Sequence, residues 1–144
     1  MPGNRTTGNP KRERGSALVE FAAVFTVLFT FLFAIMDLSR ALYAYHFVAD
    51  AAREGTRYAM VRGSTCTSWT TACPAAASDI QTYLKSVPAG INPQSVTVNT
   101  TWTPNNSPGS VVQVQVQYSF QPIFPFIPKA ALVMTSTSQV VISQ

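Results

Sequence analysis

Charged side chains are scarce in this chain: they make up 11% of its 144 residues, against about a quarter in ordinary soluble proteins. Ten are basic and six are acidic, and His46 is the single histidine. Beyond residue 62 only Asp79, Lys85 and Lys129 carry a charge. General acid–base catalysis, a Ser-His-Asp triad and a metal site all need side chains that are nearly missing here. We therefore expect neither an enzyme nor a bound cofactor or metal.

The few charges are also unevenly distributed along the chain. Residues 1–15 hold four basic residues and Glu13, a net charge of +3, whereas the rest holds six basic and five acidic residues, a net charge of +1. The basic excess therefore belongs to a tail and does not describe a nucleic-acid-binding surface. A glycine-rich loop of the phosphate-binding type is also missing from the sequence. We expect no nucleic-acid partner.

The tail, residues 1–15, reads MPGNRTTGNPKRERG and contains no large apolar residue beyond Met1. Such a segment buries too little apolar surface to offset the entropy lost on ordering, so we expect it to be disordered. Its positive charge favours the cytoplasmic side of a membrane. We therefore predict that residues 1–15 are a cytoplasmic basic leader.

An apolar run follows over residues 16–36, and its only strongly polar side chain is the Glu20 carboxylate. A helix of roughly 20 residues is about 30 Å long, which matches the hydrocarbon core of a bilayer. We therefore predict a transmembrane helix. No small-residue cleavage site of the secretory type follows Met36. Hydropathy alone fits a plain uncleaved signal anchor, but a carboxylate inside an apolar helix indicates a functional site.

The junction between tail and apolar run resembles the class III signal of type IV prepilins. The charged stretch KRERG, residues 11–15, is followed by SALVEF, residues 16–21. In that family a membrane-embedded aspartyl prepilin peptidase cuts after the glycine and the apolar helix is retained. The resemblance implies a cut between Gly15 and Ser16, with Glu20 as the fifth mature residue. Because an unpaired carboxylate is costly in a membrane, we predict that Glu20 pairs with the new Ser16 ammonium of a neighbouring subunit during assembly.

A longer resemblance covers about a third of the chain. The segments RGSALVEF (residues 14–21), DLSRALY (37–43) and AAREGTRYA (51–59) look like the TadE-like family, the minor, pseudopilin-like components of tight-adherence (Flp-type) pili. Asp37 stands where a glutamate is more usual. The resemblance implies a processed minor pilin or pseudopilin that acts in pilus assembly or adhesion. Its implied partners are the membrane, the prepilin peptidase, other pilin or pseudopilin subunits and the pilus assembly machinery.

The same resemblance implies a location. The chain would cross the inner membrane once, with a cytoplasmic N-terminus and an extracytoplasmic C-terminal domain, and would be extracellular in a pilus after processing. The alternative is an uncleaved single-pass anchor that carries a binding or adhesive module and enters no filament. The mass of the N-terminus separates the two, because only processing gives a chain that begins at Ser16.

Residues 37–63 are predicted to continue the helix beyond the membrane, and Gly63 is expected to end it. At 100° per residue an apolar stripe forms on one side. We expect this stripe to pack on the chain's own C-terminal domain or on neighbouring pilin helices. Its members are Leu38, Ala41, Leu42, Tyr45, Ala49, Ala52, Thr56, Ala59 and Met60.

The remaining residues, 64–144, are predicted to form an extracytoplasmic domain. Apolar residues at helical spacing indicate a short helix over residues 75–87. Alternation of apolar and polar residues then indicates antiparallel strands near 95–103, 111–121 and 132–143. The predicted class is therefore α+β: a long N-terminal helix packed against a small antiparallel sheet, as in pilins.

Two further features of this domain concern its surface and its covalent structure. Cys66 and Cys73 are the only cysteines, and an even pair beyond a membrane suggests a disulfide, the alternative being two free thiols. An apolar, proline-rich loop, residues 123–127, together with two tryptophans, is the best candidate for a surface that contacts a partner subunit or a host surface. Alternatively, its aromatic residues fold back over the long helix or rest on the membrane. The candidate surface consists of Trp69, Trp102, Ile123, Phe124, Phe126 and Ile127.

Overall fold

The structure is a computed structural model that describes residues 10–67, 72–86, 90–123 and 132–143, with 10–14 described through their backbone alone. The first helix, α1, spans Pro10–Met60 and has 51 residues. It begins inside the predicted leader, so the expected disorder is wrong from Pro10 onward, and residues 1–9 lie outside the described part. Proline is well tolerated in the first turn of a helix, and the lysine, arginines and glutamate that follow have high helix propensity. An existing helix is extended by such residues at little cost.

The chain divides into two units, Met1–Leu38 and Ser39–Gln144, and α1 contributes residues to both. In the first unit, aromatic rings four residues apart follow one another, with centroids of Phe21 and Phe25 5.7 Å apart and those of Phe25 and Phe29 4.3 Å apart. The Thr26 hydroxyl donates to the carbonyl of Ala22 at 2.8 Å. Such bonds satisfy the hydroxyl within the helix, which suits an apolar environment.

The helix ends at Met60, three residues before the predicted stop at Gly63. The Arg62 N–H turns back to the Ala59 carbonyl at 3.1 Å, in a tighter turn than the α-helix. The Ser143 N–H donates to the Met60 carbonyl at 3.2 Å. The Met60 carbonyl therefore has a partner that is distant in the sequence, and the spacing of residues does not reveal this bond.

The second unit adds one helix and one sheet. Helix α2 spans Ala77–Ser86, and a short 3₁₀ turn, Pro93–Ser95, leads into the strands. Strand β1 is Val96–Thr103, β2 is Val111–Phe120 and β3 is Leu132–Val141. They form one antiparallel sheet in the order β1-β2-β3. The predicted α+β class, a long N-terminal helix with a small antiparallel sheet, is confirmed.

Helix α2 begins two residues after the predicted start. The Asp79 carboxylate accepts a hydrogen bond from the Ala76 N–H at 2.9 Å, which satisfies a backbone donor at the start of the helix. Inside the helix, Ile80 and Leu84 are buried on one face. The predicted last residue of this helix, Val87, lies outside the described residues.

The sheet has one buried face and one face that meets solvent. On the central strand Val112, Val114 and Val116 are fully buried, whereas the glutamines between them are half-buried on the other face. Each of these valines removes an apolar side chain from water, which stabilises the fold by about 1.5–3 kcal/mol per residue. The period of two in the sequence therefore reflects a sheet covered on one side.

The covering element is the second half of α1, but its buried face differs from the predicted stripe. Ala52, Thr56 and Ala59 are buried as expected. Leu42 and Tyr45 are 53% and 62% exposed, so they do not pack on the chain's own C-terminal domain, and their contact with neighbouring pilin helices stays a prediction. The side that packs on the core instead carries mostly small residues. Its buried members are Ala44, Val48, Ala51, Ala52, Gly55, Thr56 and Ala59.

Gly55 marks the closest approach of α1 to the rest of the core. A Cβ added at Gly55 would lie 2.9 Å from Leu84 Cδ1 and 2.9 Å from Val114 Cγ1. Both distances are well below ordinary carbon–carbon contact, which is about 3.5–4.0 Å. Only a residue without a side chain lets the helix, α2 and β2 meet here.

Candidate functional site

The predicted processing site lies in the N-terminal part of α1. Gly15 and Ser16 are exposed, and a Cβ built on Gly15 meets no atom within 4 Å. A larger residue at this position is therefore compatible with the fold. Glycine in a helix interior lowers helix stability by about 0.5–1 kcal/mol relative to alanine, so the helix opens more easily near the Gly15–Ser16 bond. Local opening of that kind is what a peptidase needs in order to cut a helical backbone.

Glu20 lies four residues after Ser16 on the same helix. Residues four apart face the same side, and the Glu20 Cα lies about 6 Å along the helix axis from the Ser16 Cα. Its side chain is exposed, like those of the apolar residues around it. A charged group in such surroundings is expensive in hydrocarbon unless a cation neutralises it. The position therefore requires a partner whenever this segment is in lipid.

The apolar segment exposes its large side chains all round. One helix, within Gly15–Met60, is long and apolar enough to cross a membrane, and its most apolar window is unburied. Leu18 is 70% exposed, Phe21 66% and Phe31 64%. Water would penalise this much apolar surface, whereas lipid or other apolar helices would accept it. This composition and exposure support association with a membrane.

The disulfide joins Cys66 and Cys73, whose Cα atoms lie 5.8 Å apart. The Cys66 N–H donates to the Gly63 carbonyl at 3.2 Å, and the Ala75 N–H donates to the Arg62 carbonyl at 3.0 Å. Both ends of the disulfide loop are therefore fixed against the segment that follows α1. The disulfide therefore forms a covalent cross-link within the connection between α1 and α2.

The predicted contact surface is only partly described, and its described members lie far apart. Trp102 pairs with Val112 in the sheet and packs half-buried against the core. Ile123 is 58% exposed and follows Phe120 at the opposite end of β2. Eight residues of strand separate Val112 from Phe120, about 26 Å. The structure therefore does not bring Trp102 and Ile123 together. The predicted members outside the described residues are Trp69, Phe124, Phe126 and Ile127.

A polar and aromatic network that the sequence did not suggest ties α2 to α1. The Tyr83 hydroxyl donates to Glu54 Oε1 at 2.9 Å, and its ring stacks on Tyr58 with centroids 4.6 Å apart. The Arg62 guanidinium lies 3.8 Å from the centroid of the Tyr58 ring. The hydrogen bond to the Glu54 carboxylate, followed by desolvation, raises the pKa of Tyr83 above 10.0. Only the four-residue spacing of Tyr58 and Arg62 is visible in the sequence.

This network stabilises the fold and offers little for catalysis. A tyrosine whose pKa is raised holds its proton at neutral pH, which is the reverse of an activated base. Within the residues that the structure describes, no three His, Cys, Asp or Glu side chains group closely enough to hold a metal ion. His46 is exposed on α1. Among the residues that the structure describes, the apolar helix and the Glu20 carboxylate remain the candidates for a functional role.

Comparison with known proteins bears on the same helix. A family model described as TadE-like protein matches residues 15–57. No curated protein and no solved structure matches the chain significantly. The matched segment begins at the predicted cleavage glycine, includes Glu20 and the apolar run, and ends three residues before α1 does. Over residues 15–57, therefore, the chain is similar to TadE-like proteins.

Proposed function

We propose that this chain is a minor pilin or pseudopilin-like component of a tight-adherence (Flp-type) pilus or secretion system, and that it acts in pilus assembly or adhesion. The observation that carries the proposal is the TadE-like match over residues 15–57, because it starts at Gly15 and covers the whole apolar run. TadE-like pilus components are structural proteins. The proposed role is accordingly structural, with other pilin or pseudopilin subunits and the assembly machinery as partners.

The proposed topology has one membrane crossing. Residues 16–36 span the inner membrane, the basic leader stays in the cytoplasm and residues 64–144 are extracytoplasmic. The net charge of +3 in residues 1–15 favours this orientation. The disulfide between Cys66 and Cys73 also favours it, because disulfides persist in oxidising compartments outside the cytoplasm.

The proposed processing step is hydrolysis of the Gly15–Ser16 bond by a prepilin peptidase. The cut removes most of the basic excess and leaves a chain with a net charge of +1 and a new ammonium at Ser16. In a bundle of such helices, the Glu20 carboxylate of one subunit pairs with that ammonium on its neighbour. Since an unpaired carboxylate is penalised in lipid, the pairing favours one axial register between subunits.

The N-terminal mass of the purified full chain tests the processing. Chain made with the peptidase should begin at Ser16, and chain made without it should begin at or near Met1. Gly15→Val should block the cut without disturbing the fold, because a Cβ at Gly15 meets nothing within 4 Å. Gly8→Val, in the same leader, serves as the matched control and should be cut normally. An intact N-terminus in peptidase-containing cells would favour the uncleaved anchor.

The pairing of Glu20 is tested by comparing two substitutions in the apolar run. Glu20→Val should leave cleavage intact but strongly reduce incorporation into filaments, because the register-setting charge is lost. Thr30→Val is the control, since the Thr30 hydroxyl is already satisfied by the Thr26 carbonyl at 2.9 Å. Filament incorporation is measured by immunoblotting of sheared pili against the membrane fraction. Normal incorporation of Glu20→Val would contradict the pairing.

A further inference from the structure

The geometry points to a lipid-contacting surface on the Ser39–Gln144 unit: its Arg40 end lies in the phospholipid headgroup layer and binds headgroup phosphate. We define the Arg40 end by Arg40, Tyr43, Ile123, Leu132 and Val133. The inference rests on the membrane span proposed above and adds a second, folded contact with the bilayer. Its partner is the phosphate layer of a phospholipid membrane.

Side-chain contacts and strand pairing link three members of the Arg40 end, namely Arg40, Ile123 and Leu132. The Arg40 guanidinium lies 5.4 Å from the centroid of the Phe120 ring, at the end of β2. Phe120 pairs with Leu132, the first residue of β3. Ile123 lines a cavity of about 290 Å³ together with Arg40. One end of the sheet and the first turn of this unit's helical segment therefore share a surface.

Large apolar side chains are exposed at this end. Tyr43 is 50% exposed, Ile123 58%, Leu132 53% and Val133 56%. The far end of the sheet also exposes two paired valines, Val111 and Val141, but hydroxyls and amides from the turn before β2 surround them. Of the two ends of the sheet, as far as the structure describes them, the Arg40 end is the one that combines a cation, a tyrosine and several aliphatic side chains. Exposed apolar residues that form a group mark an interaction surface, whereas single exposed apolar residues do not.

Chain connectivity restricts where this surface lies. Arg40 is four residues after Met36, the last residue of the proposed span. These four residues are helical in α1 and rise about 6 Å, so Arg40 lies about that distance along the helix from the end of the span. The headgroup layer begins at the end of the span and is about 5–8 Å thick on each side of the hydrocarbon. Arg40 is therefore held within reach of the phosphates.

The chemistry of the Arg40 end suits that layer. Tyrosine is enriched at the membrane–water boundary, and arginine places its aliphatic stem in lipid while its head reaches the phosphate. The cavity beside Arg40 is also lined by Asn92, Ser95 and Gln121, which offer amide and hydroxyl donors to phosphate oxygens. Exposed Ile123 and Leu132 would enter the outermost acyl region.

Depth measurements on spin labels in the full chain test the inference. Labels are placed singly by Ile123→Cys, Val24→Cys and Thr101→Cys, with the native disulfide kept oxidised, in vesicles of phosphatidylcholine and phosphatidylglycerol. Val24 reports the span, and Thr101 is exposed on β1 away from the Arg40 end. The Ile123 label should lose most collisions with a water-soluble nickel chelate and keep those with oxygen. The Thr101 label should collide freely with the chelate.

Each outcome has a separate meaning. An Ile123 label as accessible to the chelate as the Thr101 label, with the Val24 label in lipid, overturns this inference and leaves the span intact. A Val24 label in water overturns the span, and with it the proposed function. If dilution with unlabelled chain changes the Ile123 spectrum, a second copy covers this end and the lipid assignment is wrong.

Reversing the charge of Arg40 distinguishes phosphate binding by its guanidinium from apolar contact with lipid alone. Arg40→Glu should move the Ile123 label outward and restore its collisions with the chelate. Arg57→Glu, the same change at an exposed position further along α1, should leave the depth of the label unchanged. An Ile123 label that stays equally deep in both variants would refute the role assigned to Arg40.

Discussion

Gly55 offers the sharpest test of the packing between α1 and the sheet domain. Gly55→Ala adds one methyl group that would lie 2.9 Å from both Leu84 Cδ1 and Val114 Cγ1. Overpacking of a core by one methyl costs about 1–3 kcal/mol. Alanine in a helix interior gains about 1 kcal/mol over glycine. We therefore expect the free energy of unfolding to fall by about 1 kcal/mol, so the clash outweighs the gain in helix propensity.

A double-mutant cycle isolates the clash from the propensity. Val114→Ala alone should destabilise the fold by about 2 kcal/mol, because it empties space beside a fully buried strand position. That space accepts the new methyl group, and the flexible end of Leu84 can shift into it. In the Val114→Ala background, Gly55→Ala should be neutral or stabilising by up to about 1 kcal/mol.

Urea unfolding of the full chain in detergent micelles measures these energies. Trp102 packs against the core and reports unfolding by its fluorescence, with Trp69→Phe in every variant to remove the second tryptophan. Gly15→Ala in uncleaved chain is the matched control, because its methyl group meets nothing within 4 Å. If Gly55→Ala has the same effect with and without Val114→Ala, the close approach is refuted.

Three further predictions concern the connections around the core. Glu54→Gln should lower the pKa of Tyr83 toward 10.0, as measured by tyrosinate absorbance. Because the pKa of Tyr83 is raised in the folded state, the stability contributed by the hydrogen bond between Tyr83 and Glu54 is present below pH 10.0. It is lost as the pH rises through the raised pKa. The double change Cys66→Ser with Cys73→Ser should cost about 2–3 kcal/mol in urea unfolding and abolish the mobility shift on non-reducing gels; an unchanged midpoint would refute a stabilising cross-link. Thr56→Val removes a buried hydroxyl that contacts β3 at 3.1 Å and should cost about 1 kcal/mol, and a gain in stability would contradict that contact.

The sheet could be anticipated from the sequence because one of its faces is covered and the other is not. Val112, Val114 and Val116 alternate with glutamines, and such alternation arises only when successive side chains meet different environments. The small size of α2 and its apolar spacing were likewise readable, since Ile80 and Leu84 face the core. These elements follow from local patterns that agree with their tertiary surroundings.

The relations between elements were not readable in this way. Nothing in the spacing of Glu54 and Tyr83 indicates that they are hydrogen-bonded, because the two residues lie on different helices. Two members of the predicted contact surface, Trp102 and Ile123, do not share a patch for a similar reason: strand register places them at opposite ends of the sheet. Apolar character identifies residues that are stabilised by burial, but the register of the paired strands determines which of them contact one another.

The buried face of α1 differs in part from the predicted stripe, and the difference bears on function. A periodicity argument puts the largest apolar residues inward, yet α1 buries small residues such as Ala44, Ala51 and Gly55 against the sheet domain. Small residues let the helix approach closely, and they leave Leu42 and Tyr45 on the outside. A soluble monomer would gain about 1.5–3 kcal/mol for burying each such large side chain. Under the proposed function, we expect these exposed side chains to be covered by lipid while the subunit is stored and by neighbouring subunits once it is assembled.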